Sequence, residues 1–170
     1  MREMLSGKRI LIVDDEPDVL ESLEELLDVC VIDSATSFET AKKLLERNTY
    51  DAAILDIMGV DGFRLLGLVE KKGIPALMLT AHAISAESLV KSLRKGAYAY
   101  IPKHEMANVD RYLVDVIHAK SKGGNIPQKW FNDLSPFFDR KFGSEWKNAH
   151  RETLEHFNLS HTREELEKIL

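Results

Sequence analysis

Five short apolar runs alternate with five amphipathic segments along the first 121 residues of the chain. Each amphipathic segment carries apolar side chains every three or four residues, which is the spacing of one face of a helix. The apolar runs are four to six residues long and are bounded by turn residues, which is typical of strands buried on both faces of a sheet. We predict strands at residues 8–13, 29–32, 52–56, 75–80 and 98–101.

The predicted helices have recognisable ends. Pro17 suits the first turn of a helix, so the first helix begins there and continues to about residue 28. The hydroxyls of Ser37 and Ser85 are placed to cap the second and fourth helices. Gly62 opens the third helix, and apolar positions between residues 109 and 117 mark the fifth. The first 121 residues therefore contain five β–α units.

Strands that alternate with amphipathic helices form parallel sheets covered on both faces. Right-handed crossovers favour a doubly wound sheet, so we predict an α/β, flavodoxin-like fold with five parallel strands in the order 2-1-3-4-5. In this order strands one and three are neighbours, and ligands bind where the strand order reverses, beyond the carboxyl ends of the strands. We assign residues 1–121, the sheet region, to this fold, and residues 122–170, the tail, to a small α-helical C-terminal extension.

Polar residues follow the apolar strands at the edge where a ligand is expected. Asp14 and Asp15 follow the first strand, Asp56 ends the third, Thr80 ends the fourth and Lys103 follows the fifth. Three carboxylates in one crevice repel each other unless a cation lies among them, and Mg²⁺ needs only one or two carboxylates besides water and phosphate oxygens. With a lysine and a threonine hydroxyl beside it, such a site suits a phosphoryl group, with a carboxylate as the nucleophile.

Composition narrows the possible functions. The 170-residue chain carries 23 basic and 28 acidic side chains, and its net charge of -5 argues against a nucleic-acid or anionic-membrane surface. It has no run of about 18 apolar residues that could span a membrane, and its first eight residues lack the apolar core of a secretory signal. Its single cysteine, Cys30, cannot form an internal disulfide and lies in an apolar run, where a buried thiol is inert. We therefore expect a reduced, cytoplasmic protein.

Five short motifs, found in order at the predicted strand ends, carry a resemblance to a known family. They are Val13-Asp14-Asp15-Glu16-Pro17, Leu55-Asp56-Ile57, Asp61-Gly62-Phe63, Leu79-Thr80-Ala81 and Gly96-Ala97-Tyr98-Ala99-Tyr100-Ile101-Pro102-Lys103. Each motif alone is weak, but together and in this order they are specific. From about residue 8 to residue 121 the chain resembles the CheY-like receiver domain of response regulators in two-component signalling.

The resemblance implies a role for each charged residue of the crevice. Asp56 is expected to be the phosphoacceptor. Asp15 and Asp56 are expected to ligate Mg²⁺ directly, helped by the backbone carbonyl of Met58, while Asp14 acts through a water molecule. Lys103 is expected to bridge to the phosphoryl oxygens.

The resemblance also implies that a hydroxyl and an aromatic side chain respond to phosphorylation. Thr80 is expected to be the switch hydroxyl that moves toward the phosphate. Tyr100, three residues before Lys103, is expected to turn inward when Thr80 moves. Such a domain is not an enzyme in the usual sense, because its only reactions are its own Mg²⁺-dependent phosphorylation and a slow autodephosphorylation.

The loop after Asp56 departs from the family pattern. The family places a Met-Pro pair after the acceptor and then Asp-Gly seven and eight residues on, whereas Asp61 and Gly62 follow Asp56 at five and six without the proline. In the family, the side chains two residues after the acceptor and two after the switch hydroxyl flank the path of hydrolytic water, and here they are Met58 and His82. Because an apolar Met58 hinders water, we expect slow loss of the phosphoryl group.

The tail is rich in aromatic side chains and balanced in charge. It holds seven of the thirteen aromatic residues of the chain, and eight basic against eight acidic side chains. Apolar side chains at 130, 134, 138, 142 and 146 recur at helical spacing, and we predict helix starts at Ser135-Pro136 and at Thr162, with a break at Gly143. Such an apolar stripe packs on the sheet region, pairs with another subunit or holds a partner. Because the tail is short, neutral and without a basic recognition helix, we do not expect a DNA-binding helix-turn-helix.

Three functions fit these residues. The leading one is a response regulator that accepts a phosphoryl group on Asp56 from a sensor histidine kinase or a histidine phosphotransfer protein. Its output would be a changed protein interface, including a homodimer through the receiver or through the C-terminal helices. The second is a fragment of, or a short-tailed, transcriptional response regulator. The third is a small phosphatase with Asp56 as nucleophile, but such an enzyme needs an acid two residues later, and this chain has Met58 there.

Overall fold

A computed structural model describes residues 2–82 and 84–159 of the chain. Its sheet has five parallel strands: β1 (Arg9–Val13), β2 (Val31–Ala35), β3 (Ala52–Leu55), β4 (Ala76–Thr80) and β5 (Ala99–Pro102). The strand order is β2-β1-β3-β4-β5, which confirms the doubly wound, flavodoxin-like topology predicted from the sequence.

The register brings the ends of four strands to one edge of the sheet. Val13 at the end of β1 lies beside Leu55 at the end of β3, and Thr80 at the end of β4 lies beside Pro102 at the end of β5. Every side chain of β3, β4 and β5 is buried, as expected for parallel strands covered by helices. This edge fixes the position of the residue that follows each strand.

Helices flank the sheet. They are α1 (Arg2–Leu5), α2 (Pro17–Leu26), α3 (Phe38–Arg47), α4 (Gly62–Lys71), α5 (Ala86–Arg94), α6 (Val109–Ser121), α7 (Lys129–Phe142), α8 (Trp146–Ala149) and α9 (Arg151–His156), with a 3-10 helix at Lys103–Asn108. The predicted caps are present, since the hydroxyls of Ser37 and Ser85 accept hydrogen bonds from the backbone N–H groups of Thr40 and Ser88 at 3.2 and 3.0 Å. Among the described residues, no helix is long and apolar enough to cross a membrane.

The second strand lies later in the chain than predicted. β2 covers Val31–Ala35, whereas the apolar run favoured residues 29–32. β2 is an edge strand beside β1, and the side chain of Val31 is 50% exposed while Asp33 and Ser34 are half-buried. A strand that borders solvent does not need a continuous apolar run, so hydrophobicity alone misplaced it.

The first helix of the tail begins earlier than predicted. α7 covers Lys129–Phe142, and Pro136, which the sequence favoured as part of a helix start, lies inside it. A proline in a helix interior removes one backbone hydrogen bond, here to the carbonyl of Asn132. The helix forms because burial of its apolar face outweighs that loss. The predicted break at Gly143 is confirmed, with a φ of 91° there, whereas the predicted helix start at Thr162 lies outside the described residues.

The described part of the tail packs against the sheet region. α7 lies against β5, the edge strand at the opposite side of the sheet from β2, and α9 lies against α5. The side chains of Trp130, Phe131, Leu134 and Phe138 on α7 are buried. Of the three arrangements that the apolar stripe allowed, this part of the tail adopts packing within the chain.

Candidate functional site

Four acidic side chains meet beyond the carboxyl ends of β1 and β3. Asp14 follows β1 and Asp56 follows β3, and a 2.9 Å hydrogen bond from the Asp56 N–H to the Val13 carbonyl joins the two strand ends. One carboxylate oxygen from each of Asp14, Asp15, Glu16 and Asp56 lies within 4.8 Å of the others. The structure therefore brings together the three predicted aspartates. It adds Glu16, which sequence reasoning missed although it directly follows the aspartate pair.

The ammonium group of Lys103 lies inside this acidic cluster. β5 ends at Pro102, so Lys103 begins the 3-10 helix at the same edge of the sheet. Its Nζ is 2.9 Å from Oδ2 of Asp14, 3.2 Å from Oδ2 of Asp56 and 3.2 Å from Oε1 of Glu16. The predicted lysine therefore reaches the predicted acceptor directly.

Burial and charge act in opposite directions on these groups. Burial raises the pKa of Asp14 above its ordinary value, although the hydrogen bond from Lys103 lowers it in part. Burial alone would lower the pKa of Lys103, but the hydrogen bonds and charges of Asp14 and Asp56 outweigh it, so the pKa of Lys103 is raised. Lys103 is therefore an ammonium at neutral pH, and it offsets part of the repulsion among the carboxylates.

Thr80 supplies a buried hydroxyl at the same edge. It ends β4, it is fully buried, and its Oγ has no hydrogen-bond partner among the described residues. A buried polar group without a partner costs about 1–3 kcal/mol, so its presence calls for a functional explanation. Its register partner is Pro102, the residue before Lys103, so the two predicted phosphate-binding side chains belong to adjacent strand ends.

Two glycines allow the shortened loop to pass close to the acids. Gly59 has a φ of 82°, and a Cβ atom added there would lie 2.1 Å from Oδ2 of Asp15. A Cβ atom at Gly62 would lie 2.0 Å from the carbonyl oxygen of Asp56. Neither position has room for a side chain unless a neighbouring group moves, so glycine fits both positions of the shortened loop. Sequence reasoning missed the part played by Gly59, whose only signal was its place three residues after the acceptor.

The side chains predicted to flank the path of water lie at the rim of the site. Met58 is 54% exposed. The His82 side chain is 72% exposed, with its Nε2 3.6 Å from Oε1 of Glu16. Exposed side chains change rotamer readily, so packing does not fix the positions of these two side chains.

Tyr100 connects β5 with α5 and with the tail. It is fully buried, and its hydroxyl is 2.6 Å from Oγ of Ser88 on α5. Its ring centroid lies 6.1 Å from that of Phe138 on α7. Burial raises the pKa of Tyr100, so its side chain is a neutral phenol. No pattern in the sequence indicates the contact between Tyr100 and Phe138.

Comparison with known proteins relates these residues to a family. The family model of the response regulator receiver domain matches residues 10–113. The two-component response regulator ARR12 of Arabidopsis thaliana is 34% identical over 131 residues, which are 70% of this chain and 22% of that protein. The transcriptional regulatory protein TcrA of Mycobacterium tuberculosis is 32% identical over 130 residues, which are 73% of this chain and 50% of that protein. This chain thus spans half or less of the length of these curated relatives.

Solved structures share the fold. A CheY-like response regulator receiver domain protein from Methanospirillum hungatei is 29% identical, with a TM-score of 0.64 over 70% of this chain and 100% of that one. A response regulator receiver domain protein from Clostridium thermocellum shows the same fold at 22% identity, with a TM-score of 0.59. Receiver domains are signalling modules rather than catalytic domains, and they bind Mg²⁺ at an acidic pocket like the cluster seen here. Because the family model covers more than half of the chain, the protein belongs to the receiver-domain family of two-component response regulators.

Proposed function

We propose that the protein is a phosphorylation-dependent switch whose acceptor is Asp56. The observation that supports this most strongly is the Lys103 ammonium, 3.2 Å from Oδ2 of Asp56 within a cluster of four acids. A phosphoryl group on Asp56 would bring its negatively charged oxygens to this cation. The donor is a sensor histidine kinase or a histidine phosphotransfer protein, the partners that a two-component system supplies.

We assign a Mg²⁺ site to the acidic cluster. Carboxylate oxygens are ligands that Mg²⁺ prefers, and four of them lie within 4.8 Å of one another. Asp15 and Asp56 would hold the ion directly and Asp14 through water, with the backbone carbonyl of Met58 as a further ligand. Bound Mg²⁺ supplies positive charge that neutralises the carboxylates and the phosphoryl oxygens. The close approach of Gly59 to the Asp15 carboxylate restricts where that ligand can lie.

The side chains present support a phosphoryl-transfer step. A carboxylate oxygen of Asp56 attacks phosphorus, the phosphorus–nitrogen bond of the protonated donor histidine breaks, and the donor leaves as a neutral imidazole. Lys103 binds one phosphoryl oxygen, and the Thr80 hydroxyl donates a hydrogen bond to another. Thr80 thereby gains the partner that its buried hydroxyl lacks among the described residues.

The same hydroxyl begins the response of the domain. As Thr80 moves toward the phosphoryl group, Tyr100 turns inward. The two residues are on neighbouring strands, since Met78 of β4 lies beside Tyr100 and Thr80 lies beside Pro102. A shift at the end of β4 therefore also displaces the paired end of β5.

We propose that the aspartyl phosphate is lost slowly. Met58 is apolar, and His82 does not replace the carboxamide or acid that would align water beside the phosphoryl group. A half-life of minutes or longer for the phosphorylated chain supports this, and a half-life of seconds contradicts it. Met58→Asn, which adds a polar side chain at the rim, is expected to shorten the half-life about fivefold or more.

The acceptor is tested by the intact mass of the chain after incubation with Mg²⁺ and a small-molecule phosphodonor. The native chain is expected to gain the mass of one phosphoryl group, and Asp56→Asn is expected to gain none. Asp61→Asn is the matched control, because Asp61 is an exposed acid of the same loop in a left-handed conformation that asparagine also adopts. Full modification of Asp56→Asn would contradict the assignment.

Assembly is one form that the output of the switch can take. A homodimer through the receiver or through the C-terminal helices stays a prediction. Sedimentation velocity with Mg²⁺, with and without beryllofluoride, measures it directly, because beryllofluoride imitates a phosphoryl group on a carboxylate. A higher mass on loading supports an assembling output, and an unchanged mass points either to a site that does not load or to an output read by another protein.

A second candidate function is that of a transcriptional response regulator of which this chain forms part. TcrA carries that description, and this chain corresponds to only 50% of it. The eight basic and eight acidic side chains of the tail do not favour nucleic acid, so contact with DNA would come from residues beyond this sequence. A natural chain that continues past Leu170 into a basic helix-turn-helix would support this candidate. For either candidate we propose a cytoplasmic location.

A further inference from the structure

We infer that β5 and the 3-10 helix form a docking surface for helix α7 of the same chain, with α9 held on α5, and that phosphorylation of Asp56 loosens this docking. The inference deepens the proposed function and rests on it. It concerns the tail, which lies outside the part of the chain that the family model matches.

The docking contact is made by aromatic rings. Phe138 of α7 lies 6.1 Å from Tyr100 of β5, between ring centroids. One residue earlier, Phe137 lies edge-on to His104 of the 3-10 helix at 4.7 Å. α7 therefore contacts both the predicted switch aromatic and the residue that follows Lys103.

The contact extends through the tail as one aromatic cluster. Phe138 stacks on Phe142 at 5.5 Å and lies 6.5 Å from Trp130 and 6.1 Å from Trp146. Phe138 is fully buried, and both tryptophans are almost fully buried. Because interiors of this kind are close-packed, a displacement of Phe138 changes the surroundings of both tryptophans.

A second contact holds the tail on α5. The Nε and Nη2 atoms of Arg94, at the end of α5, donate hydrogen bonds to Oγ1 of Thr153 on α9 at 2.9 and 2.6 Å. α5 is thus joined to β5 through Ser88 and Tyr100 at its beginning and to the tail through Arg94 at its end. Movement of α5 relative to β5 therefore acts on the tail at two places.

β5 links this surface to the acceptor site. It carries Tyr100 to α7 and, three residues later, delivers Lys103 to Asp56. A phosphoryl group on Asp56 attracts the Lys103 ammonium and the Thr80 hydroxyl, which changes the positions of adjacent strand ends. In the structure, α7 is docked while Lys103 is hydrogen-bonded to the free Asp56 carboxylate. A phosphoryl group on Asp56 replaces this hydrogen bond and thereby makes docking of α7 less favourable.

Hydrogen exchange of the complete chain tests the inference. Exchange rates of the chain are measured in Mg²⁺ alone and in Mg²⁺ plus beryllofluoride, and the two sets of rates are compared. The fluorine NMR signal of bound beryllofluoride measures loading of the site. We expect the amides of residues 129–142 to exchange about tenfold faster in the loaded chain, since local opening sets their rate. The amides of α3 are the internal control and are expected to change little, because α3 packs on β2, at the opposite edge of the sheet from β5.

Each outcome of this experiment bears on the two claims differently. A loaded site with unchanged or slower exchange in α7 overturns the inference and leaves the proposed function intact. A site that does not load overturns both. Fluorescence of Trp130 and Trp146 gives a second readout, and a spectrum that is the same before and after loading also counts against the inference.

Linkage supplies a reciprocal test. If phosphorylation loosens α7, a change that loosens α7 favours phosphorylation by the same coupling. Phe138→Ala removes the ring that contacts Tyr100. We therefore expect this variant to bind beryllofluoride about threefold or more tightly than the native chain does at equilibrium. Asn132→Ala is the matched control, because Asn132 is an exposed position on the same helix, and its affinity is expected to stay at the native value. Equal affinities of Phe138→Ala and the native chain would overturn the inference.

Discussion

Oδ2 of Asp56 lies 3.2 Å from the ammonium of Lys103, which also lies 2.9 Å from Oδ2 of Asp14. One cation thus joins the residues that follow β1, β3 and β5, three parts of the chain that are distant in sequence. Removal of one partner from a buried ionic group leaves the others as uncompensated charges. Lys103 therefore supports the folded site as well as the proposed phosphoryl transfer.

Replacement of Lys103 by methionine is expected to destabilise the chain when no divalent ion is present. The acids of the cluster lose their counter-ion, so the free energy of unfolding falls by about 3 kcal/mol. Urea unfolding in the presence of a chelator measures this change. Lys95→Met, at an exposed position just after α5, is the control and changes stability by no more than about 0.5 kcal/mol. Equal stability of the two variants would show that the ion pairs have no net effect.

Replacement of Gly59 by alanine is expected to weaken Mg²⁺ binding. The new Cβ atom would lie 2.1 Å from Oδ2 of Asp15 and must displace that carboxylate from the cluster. We expect the Mg²⁺ dissociation constant to rise about tenfold or more, as measured by titration calorimetry. Gly67→Ala is the control, because a Cβ atom there meets nothing within 4 Å and the change in the interior of α4 stabilises the helix by about 0.5–1 kcal/mol. Native Mg²⁺ affinity in Gly59→Ala would mean that Asp15 is not a ligand.

Replacement of Thr80 by valine separates stability from switching. Valine has nearly the same shape and removes a buried hydroxyl that has no partner among the described residues. The free energy of unfolding is therefore expected to stay the same or to rise by about 1 kcal/mol. The faster exchange of α7 on beryllofluoride loading is expected to be lost. A variant that is both less stable by more than about 2 kcal/mol and still able to release α7 would contradict this role for Thr80.

The affinity for Mg²⁺ is expected to fall as the pH is lowered. Burial raises the pKa of Asp14, and the carboxylate form is the one that serves the ion. Protons therefore compete with Mg²⁺ at a higher pH than they would at an ordinary aspartate. Titrations between about pH 8 and about pH 5 measure the effect, and Asp14→Asn should flatten the curve.

Protonation of Asp14 lowers the affinity for Mg²⁺ without itself destabilising the fold. Because the folded-state pKa of Asp14 is above the unfolded value, the cost of its buried charge is present at neutral pH and is relieved as it takes up a proton. In the absence of Mg²⁺, this residue alone makes the chain no less stable as the pH falls. A Mg²⁺ affinity that is constant over the whole range would contradict a role for Asp14.

The sheet and the site were predictable from the sequence for one physical reason. Parallel strands linked by right-handed crossovers present their carboxyl ends at one edge, so the residues that follow the strands must converge. Each of four site residues ends or directly follows one of these strands, and so they meet at that edge: Asp14, Asp56, Thr80 and Lys103. Glu16 and Gly59 were missed because their parts in the site depend on how the connecting loops fold.

The tail shows where sequence reasoning ends. Its apolar stripe indicated that a helical face must be covered, but the pattern does not say by what, and the contact between Phe138 and Tyr100 is visible only in the structure. Pro136 was a misleading helix start because tertiary packing overrides its local preference. The sequence pattern misplaced β2 because an edge strand borders solvent and therefore does not need a continuous apolar run.

The central claim is that Asp56 accepts the phosphoryl group, and the most direct measurement is the location of that group in the chain. The chain is treated with Mg²⁺ and a small-molecule phosphodonor, reduced with borohydride to convert an aspartyl phosphate into homoserine, and mapped by mass spectrometry of its peptides. We predict homoserine at position 56 and at no other aspartate. Homoserine at position 14 or 15 with Asp56 unmodified, or an unmodified chain, would contradict the account.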